Sequence, residues 1–541
     1  MSHKYNQSEY LILIIVVVVL FLLYLTQLTR SGLWYDEATE YFFSKYLTGV
    51  IPSSDDTSNM YERILGTYQP PLYNIVMYFW LLVLDTEWWF RLFGVIITFI
   101  GSFGIYKGIK LISNWKWGLS GMIMYLMASS IMYYALECGE YSLLLCMESW
   151  GFYFFIRCLI SSQLKQSNSR HIIGFLLFSC LSIYSQYGAV FFVFPLFLIL
   201  LGTYIKNKEF SSIKQLVIYS LIALIIAGFP LWHFFIRIQM ERQDSLSVSH
   251  YPVFVKNVFY SYFMGFAFNM MWIINGAFVT GKIVLVSRFI FMLIIGIMII
   301  VGMIKIKTPI TYSLLGGFFI SWTLFFIMTS CSFYGHNFWD IKIGFNSVYG
   351  GSRYILFIVP LMITTCIYGL YLFSNNVSMR ITKYLFVLLA FIYVACGVYT
   401  LHKGIIKSDT REAVEAWYDN KCYTKKTVVQ EWFFRTFLFY YHRLPIYNAE
   451  NSSRIIETGI WMRTQSKKEM LSHLIELGVL NLNEFYYVGN SDLAREIFKE
   501  AGFSISYIWK GDSSIWYCKK INNYSFKRNN HSLKSLNSHF L

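Results

Sequence analysis

The stretch Gly32-Leu33-Trp34-Tyr35-Asp36-Glu37-Ala38 places two adjacent carboxylates directly after a long apolar run. That run, 11–25, has the length and composition of a membrane helix, and no small-residue cleavage signal follows it, so we expect an uncleaved anchor. Ionisable groups at a bilayer boundary cost free energy, and where they occur they are commonly functional. We therefore predict that Asp36 and Glu37 lie at the outer membrane face and act on a lipid-borne substrate.

The composition is typical of a membrane protein that crosses the bilayer many times. Of the 541 residues, 56% are hydrophobic and only 14% are charged. The net charge of +15 is interpreted as basic cytoplasmic loops, and nucleic-acid binding is not predicted. The nine cysteines form no Cys-x-x-Cys pair that would indicate a zinc site. Cys422 and Cys518 lie in the polar C-terminal part, and whether they pair is left open.

The apolar segments predict a polytopic α-helical membrane protein with about eleven transmembrane helices. The predicted spans are 10–28, 88–106, 118–136, 141–160, 171–184, 187–205, 213–235, 283–304, 310–330, 353–373 and 381–401. A further apolar run over 70–84 opens with two prolines and is marginal in length, so we place it along the interface. In the same outer loop, helical patterns over 38–49 and 59–67 predict two more interfacial helices.

The distribution of basic residues fixes the predicted orientation. If 70–84 does not cross the bilayer, every second loop is basic, whereas the short loops around 137–141 and 185–187 contain no Lys or Arg. Because cytoplasmic loops carry the excess of Lys and Arg, we expect a cytoplasmic N-terminus and an extracytoplasmic C-terminal region. The protein would lie in the inner or plasma membrane, and its long outer segments would carry the function.

The composition changes near residue 402, which predicts a transmembrane catalytic domain over 1–401 and a small extracytoplasmic α/β domain over 402–525. The tail over 526–541 is polar and basic, and we expect it to be disordered. Predicted helices of the α/β domain cover 409–420, 432–442, 467–477 and 491–501, and predicted strands cover 426–430, 485–488, 503–509 and 514–519. No glycine-rich phosphate loop supports nucleotide binding.

Four further motifs follow Trp34–Ala38 in order: Gln69-Pro70-Pro71-Leu72-Tyr73, Glu87-Trp88-Trp89-Phe90-Arg91-Leu92, Leu136-Glu137-Cys138-Gly139-Glu140-Tyr141-Ser142-Leu143 and Ser352-Arg353-Tyr354-Ile355-Leu356-Phe357-Ile358-Val359-Pro360. In this order they resemble bacterial membrane glycosyltransferases of the protein-mannosyltransferase and aminoarabinose-transferase type. The resemblance implies the GT-C fold. It also implies sugar transfer from a polyprenyl-phosphate donor to a lipid, glycan or protein acceptor. Gln69 and Gly139 depart from the family pattern, which often has His and Arg there.

Asp36 is the predicted general base. A lipid phosphate is a good leaving group and needs no strong acid, but an acceptor hydroxyl needs a carboxylate to take its proton. The simplest geometry is an inverting displacement. Glu37 is the second candidate catalytic residue. The alternative for this pair is that one carboxylate caps the helix that follows while the other reacts.

The remaining candidates would bind substrate or metal at the outer face. Glu137 and Glu140 either favour the start of a helix or orient the acceptor. The arginine side chains at the outer ends of spans either snorkel to the interface or contact the donor phosphate. The candidate substrate contacts are Glu137, Glu140, Tyr141, Gln69, Arg91, Arg353, Tyr354, Tyr187 and Arg237. A divalent metal ion is the one candidate cofactor, with Glu137 and His233 as its candidate ligands.

Two other function classes stay open from the sequence. A transporter or flippase of lipid-linked sugars should show two related halves with discontinuous helices, and no internal repeat is found. A transporter should also have ionisable residues at the bilayer midplane, and Glu148, inside the fourth span, is the main residue that fits this alternative. A non-catalytic scaffold with an outer binding domain would function unchanged when Asp36 is replaced by Asn.

Overall fold

The computed structural model describes residues 7–47, 70–166, 168–228, 308–330, 352–376, 380–403, 408–458 and 467–521, with a few isolated positions in between. The chain separates into two compact units. Unit 1 consists of Met1–Thr29 and Glu40–Ile405, and unit 2 consists of Arg30–Thr39 and Ile406–Leu541. The carboxylate pair near the N-terminus is therefore grouped with the C-terminal part of the chain.

Unit 1 is built of helices. In chain order they are α1 (Gln7–Leu25), α2 (Tyr35–Tyr46, which begins in unit 2), α3 (Leu72–Leu81), α4 (Glu87–Ile112), α5 (Trp115–Leu126), α6 (Ser129–Ala135), α7 (Tyr141–Gln163), α8 (Ser169–Ser185), α9 (Val190–Lys206), α10 (Phe210–Ala223), α11 (Pro309–Ser330), α12 (Val359–Asn376) and α13 (Arg380–Lys403). Short 3-10 helices, Tyr187–Ala189 and Ser352–Ile358, precede α9 and α12.

The protein is a multi-pass membrane protein. Six helical stretches in the described part of the chain are long and apolar enough to cross a bilayer: Gln7–Leu25, Glu87–Ile112, Tyr141–Gln163, Tyr187–Lys206, Pro309–Ile327 and Ile355–Asn375. Each coincides with a predicted span. The predicted spans 171–184, 213–235 and 381–401 contain α8, α10 and α13, while most of 283–304 lies outside the described residues. The total of about eleven spans stays a prediction.

Helix α3 agrees with the prediction that 70–84 does not cross the bilayer. Its ten residues extend about 15 Å at the usual helical rise, half of a typical hydrocarbon core. The predicted interfacial helix over 38–49 is α2, which begins and ends three residues earlier. The other predicted interfacial helix, 59–67, lies outside the described residues.

The predicted span 118–136 is interrupted by a break, and its crossing of the bilayer stays a prediction. The helix stops at Leu126, and Ala128 has an extended backbone (ψ 130°) before α6 begins. Such a break frees backbone carbonyls that have no water partner inside a membrane protein. Two tyrosines supply partners: the Tyr24 hydroxyl donates to the Leu126 carbonyl (2.5 Å), and the Tyr393 hydroxyl donates to the Met124 carbonyl (2.9 Å). Both tyrosines are distant in sequence, so local periodicity could not predict the break.

Small residues bring α4 and α7 close together. A Cβ atom at Gly101 would lie 2.9 Å from the Cys146 Cα, and one at Gly104 would lie 2.8 Å from the Ser149 carbonyl carbon. Side chains at these two positions are therefore excluded by backbone. Close helix packing over small residues is the usual way in which membrane helices gain contact area.

Unit 2 contains a five-stranded mixed sheet in the order β2-β1-β3-β5-β4. The strands are β1 (Thr427–Val429), β2 (Ile455–Glu457), β3 (Glu484–Val488), β4 (Phe503–Trp509) and β5 (Ile515–Lys520), and the helices are α14 (Thr410–Asp419), α15 (Glu431–Tyr441), α16 (Ala449–Ser452), α17 (Lys467–Glu476) and α18 (Asp492–Glu500). Strand β1 pairs in parallel with β2 and β3, whereas β5 runs antiparallel to β3 and β4.

The predicted α/β character of the C-terminal region is confirmed, with all four predicted helices and four of the five strands in place. Strand β2 and the single turn of α16 were not predicted, because three residues are too few for a period-2 pattern to be recognised. Cys422 and Cys518 are both buried and free, so this pair forms no disulfide.

Candidate functional site

The two carboxylates of the opening motif have different environments. Helix α2 begins at Tyr35, so Trp34 occupies the N-cap position and Glu37 the third helical position. The Trp34 backbone N–H donates to Glu37 Oε2 at 3.2 Å, which is the acidic half of a capping box. Glu37 is fully buried, while Asp36 is only half-buried. Of the alternatives that the sequence left open, capping therefore falls to Glu37, and Asp36 is the more accessible carboxylate.

The motif is held within unit 2 by helix α15. The Tyr35 ring stacks on the Trp432 ring with a centroid separation of 4.7 Å and an interplanar angle of 9°. The Arg435 guanidinium lies over the Tyr35 ring at 5.5 Å, and its Nη1 donates to Thr39 Oγ1 at 2.9 Å. Side chains from the first two turns of α15 thus contact residues on both sides of Asp36.

Two backbone contacts fix the approach to the motif. The Leu33 N–H donates to the buried Tyr440 hydroxyl at 2.7 Å, and Arg411 Nη2 donates to the Ser31 carbonyl at 2.7 Å. A Cβ atom at Gly32 would lie 3.2 Å from the Arg411 backbone nitrogen, so this position favours glycine. The approach to α2 is therefore held by α14 as well as by α15.

The carboxyl ends of β1 and β2 bring further acids to the same place. Glu457 ends β2, and Glu431 opens α15 directly after β1. Burial raises the pKa of Glu431, and burial together with the Glu431 charge raises the pKa of Glu457; Arg435 opposes both shifts. Burial also raises the pKa of the Tyr35 hydroxyl, opposed by Arg435, while Glu431 and Asp36 add to the rise. Arg435 thus lies in the field of the Glu431 and Glu457 carboxylates, and Tyr35 lies in the field of Arg435 and of Asp36.

The crevice between the carboxyl ends of β1 and β3 is filled. Such crevices are where open α/β sheets commonly bind ligands. Here Gln430 Oε1 accepts from the Asn490 N–H at 3.1 Å, and a Cβ atom at Gly489 would lie 2.5 Å from the same oxygen. Glu431 and Glu457, at the same edge of the sheet, interact electrostatically with Tyr35.

Unit 1 holds the second acidic motif in a buried turn between α6 and α7. Glu137, Glu140 and Tyr141 are each about 5% exposed or less. Glu140 is the N-cap residue of α7, where a negative charge favours the helix dipole. The turn lies against α4, since a Cβ atom at Gly94 would be 2.6 Å from the Ala135 carbonyl oxygen.

Arg91 is buried and already paired inside unit 1. Its Nη1 donates to the Leu28 carbonyl at 3.1 Å and to Glu87 Oε1 at 2.9 Å, one helical turn away. Arg91 therefore does not snorkel to the interface. Contact between Arg91 and a donor phosphate stays a prediction.

The two 3-10 helices of unit 1 bring three further candidates together. The 3-10 helix Ser352–Ile358 carries Arg353 and Tyr354, and it contacts the 3-10 helix that begins at Tyr187. It also contacts α7, which begins at Tyr141. The side chains of Arg353 and Tyr354 are outside the described part, as are Gln69, His233 and Arg237 altogether. In the described ranges, no three His, Cys, Asp or Glu side chains are grouped as metal ligands would be. The proposed pair of Glu137 and His233 stays a prediction.

Comparison with solved structures identifies the fold. ArnT from Cupriavidus metallidurans in the apo state matches with a TM-score of 0.54 and 12% sequence identity, over 94% of this chain and 98% of ArnT. ArnT bound to undecaprenyl phosphate matches with a TM-score of 0.55 and 12% identity, over 94% and 97% of the two chains. The chain has the GT-C fold.

Other comparisons add little to this assignment. The archaeal oligosaccharyltransferase AglB from Archaeoglobus fulgidus, in complex with an inhibitory peptide and a dolichol-phosphate, gives a TM-score of only 0.42 at 11% identity, over 95% of this chain and 75% of AglB. A likeness at that level carries no weight here. No model of a known protein family matches the chain, and no curated protein sequence matches it.

The GT-C fold was predicted from motif order, but the residues of unit 2 that interact with the neighbours of Asp36 were not. Glu431, Trp432, Arg435 and Tyr440 are separated from Asp36 by most of the chain. The only available signal was the aromatic run Trp432–Tyr441, which predicted a helix without indicating its partner.

Proposed function

We propose that this protein transfers a sugar from a polyprenyl-phosphate donor to a hydroxyl-bearing acceptor, with Asp36 as general base. The observation that carries the proposal is the division of roles in the carboxylate pair: Glu37 caps α2, and half-buried Asp36 lies beside it. The GT-C fold supports the donor class, since ArnT, which has the same fold, has been solved with undecaprenyl phosphate.

In the proposed reaction, the Asp36 carboxylate accepts the proton of the acceptor hydroxyl as its oxygen attacks the anomeric carbon. The bond between the anomeric carbon and the phosphate oxygen breaks on the opposite face, and polyprenyl phosphate leaves with the electron pair. The configuration at the anomeric carbon is inverted. A positioned carboxylate base contributes about 10²–10⁴-fold to such a step.

The departing phosphate gains charge and needs cationic partners. Arg353 is the strongest candidate within unit 1, because its 3-10 helix contacts the elements that begin at Tyr141 and Tyr187. A planar guanidinium binds phosphate oxygens in pairs, which a lysine does not. We assign Arg237 and the buried acids Glu137 and Glu140 to substrate binding on the same outer face. No step in this mechanism uses a metal ion.

The proposed orientation follows the basic loops. The protein lies in the inner or plasma membrane with its N-terminus in the cytoplasm. Unit 2 and the acidic motifs lie on the extracytoplasmic side. We retain the division into a transmembrane domain up to residue 401 and an α/β domain over 402–525, and we add residues 30–39 to the C-terminal unit. The predicted tail over 526–541 lies outside the described residues. The lipid, glycan or protein acceptor would reach Asp36 from the outer side.

The test is an assay of purified protein, reconstituted in liposomes, with a panel of polyprenyl-phosphate sugars and hydroxyl acceptors. We expect release of polyprenyl phosphate together with formation of an inverted glycoside. If the lipid-linked sugar crosses the bilayer and no polyprenyl phosphate is released, the protein is a flippase and the proposal is wrong. If neither occurs with any donor while lipid-linked sugars still bind, the scaffold alternative is favoured.

A further inference from the structure

We propose that Arg435, in the C-terminal unit, is a positioning residue for Asp36. The inference rests on the proposed function, and it assigns to unit 2 a part in building the catalytic site. The alternative role for such a domain would be to select acceptors at a distance from the chemistry.

The geometry places Arg435 across the first turn of α2. Arg435 Nη1 donates to Thr39 Oγ1 (2.9 Å), and Thr39 Oγ1 in turn donates to the Tyr35 carbonyl (2.8 Å). The same guanidinium lies 5.5 Å from the centre of the Tyr35 ring. One side chain therefore binds the residue before Asp36 and the residue three positions after it, and hydrogen bonds in such a chain strengthen one another.

Trp432 completes the support. Its ring stacks on Tyr35 at 4.7 Å and presents a nearly parallel face, so the Tyr35 side chain has contacts from two residues of the same helix, α15. Because Tyr35 and Asp36 are adjacent, a fixed Tyr35 fixes the direction in which the Asp36 side chain leaves α2. A catalytic group held within about 0.5 Å of its working position is what efficient proton transfer requires.

Charge gives the arrangement a second function. Asp36, Glu431 and Glu457 all interact electrostatically with Tyr35, and Arg435 opposes their effect. Without Arg435 the carboxylates would repel one another, and the first turn of α2 would lose its counter-charge. The guanidinium thus offsets the negative charge around Tyr35, the residue before Asp36.

Unit 2 offers a matched control in Arg495. Its guanidinium lies over the Tyr507 ring at 5.5 Å, the same separation as between Arg435 and Tyr35, and Arg495 is on α18. Arg495→Ala therefore removes a cation–π contact of the same centroid distance without touching the Asp36 segment. Both variants would be made in the full-length protein and compared for melting temperature.

The kinetic test uses release of polyprenyl phosphate by wild type and variants. We expect Arg435→Ala to lower kcat by about 10–100-fold with the donor KM changed less than about twofold, since Asp36 acts only on the proton. Arg435→Lys should recover part of kcat, because an ammonium still donates to Thr39 but has no planar face for Tyr35. Arg495→Ala should leave kcat unchanged.

A double variant distinguishes positioning from general loss of structure. If Arg435 acts through Asp36, then adding Arg435→Ala to Asp36→Asn lowers kcat no further. An equal fall in both backgrounds, or an unchanged kcat in the single variant, overturns the proposal.

Amide hydrogen exchange measures the support of α2 by Arg435 independently of transferase activity. Arg435→Ala should speed amide exchange over 35–39 by about tenfold, and Arg495→Ala should not. Unchanged exchange there overturns the positioning role. If the variant exchanges faster but the wild-type protein releases no polyprenyl phosphate, then Arg435 supports α2 and the proposed transferase function is wrong.

Discussion

The backbone amide of Trp34 donates to the Glu37 carboxylate at 3.2 Å, and this bond gives Glu37 the capping role at the start of α2. A capping box accepts Glu or Gln at this position, because either side chain has an oxygen for the N-cap amide. We therefore predict that Glu37→Gln retains transfer activity within about twofold, whereas Glu37→Ala loses about 1 kcal/mol of stability. Steady-state rates and thermal melting of both variants check this. A hundredfold loss of rate in Glu37→Gln would make Glu37 a reacting group.

The break between α5 and α6 gives a second prediction. The hydroxyls of Tyr24 and Tyr393 each satisfy one carbonyl beside the break. Tyr24→Phe and Tyr393→Phe should each lower the free energy of unfolding by about 0.5–1.5 kcal/mol, because a buried carbonyl loses its partner. Thermal unfolding in detergent measures the change. Tyr153→Phe, in α7, is the comparison: an equal loss there would show that the effect does not come from the break.

The stability of unit 2 should depend on pH through His442. Burial lowers its pKa from 6.5 to about 4, and the neighbouring Arg443 adds to the shift. Between these values the unfolded chain binds a proton that the folded chain does not, so stability falls as the pH falls from 6.5 towards 4. After allowance for partial exposure of the ring, the loss is about 1–2 kcal/mol.

The variant His442→Gln isolates this contribution, since its side chain stays neutral at every pH. Melting temperatures of wild type and variant, recorded across the same pH range, should diverge with the wild type losing more on acidification. Parallel curves would show that His442 does not titrate differently in the folded protein.

The proposed orientation is open to direct labelling. Lys116, at the start of α5, is exposed on the side we assign to the cytoplasm, and Lys421 is exposed in unit 2. In a background whose native cysteines have been replaced, a membrane-impermeant thiol reagent added to whole cells should label Lys421→Cys and not Lys116→Cys. Labelling of Lys116→Cys alone would invert the topology. Labelling of both only after permeabilisation would place unit 2 in the cytoplasm and contradict the proposed orientation of the C-terminal region.

Local patterns predicted most of the fold, because helices and strands are set by periodicity over neighbouring residues. Strand β4, for example, has the predicted bounds. The break at Ala128 was missed because its hydrogen-bond donors, Tyr24 and Tyr393, come from opposite ends of unit 1. A single sequence contains no record of such distant partners.

Part of the candidate site could likewise be predicted from the sequence, and part could not. The Asp36 motif stands out because carboxylates are rare at the end of an apolar run. Arg435 does not stand out, since a basic residue in a polar domain is ordinary, and only the folded arrangement over Tyr35 gives it meaning. Charge alone did not reveal that Arg91 is paired with Glu87.

The most direct test of the account compares Asp36→Asn with Asp85→Asn. Asp85 is a carboxylate of the same predicted outer loop, but it accepts from the Tyr41 hydroxyl at 2.9 Å and pairs with Lys45, so its role is structural. With donor and acceptor saturating, the rate of polyprenyl phosphate release should fall about 10²–10⁴-fold in Asp36→Asn and stay within about threefold in Asp85→Asn. Release at the wild-type rate by Asp36→Asn would contradict the mechanism proposed for this protein.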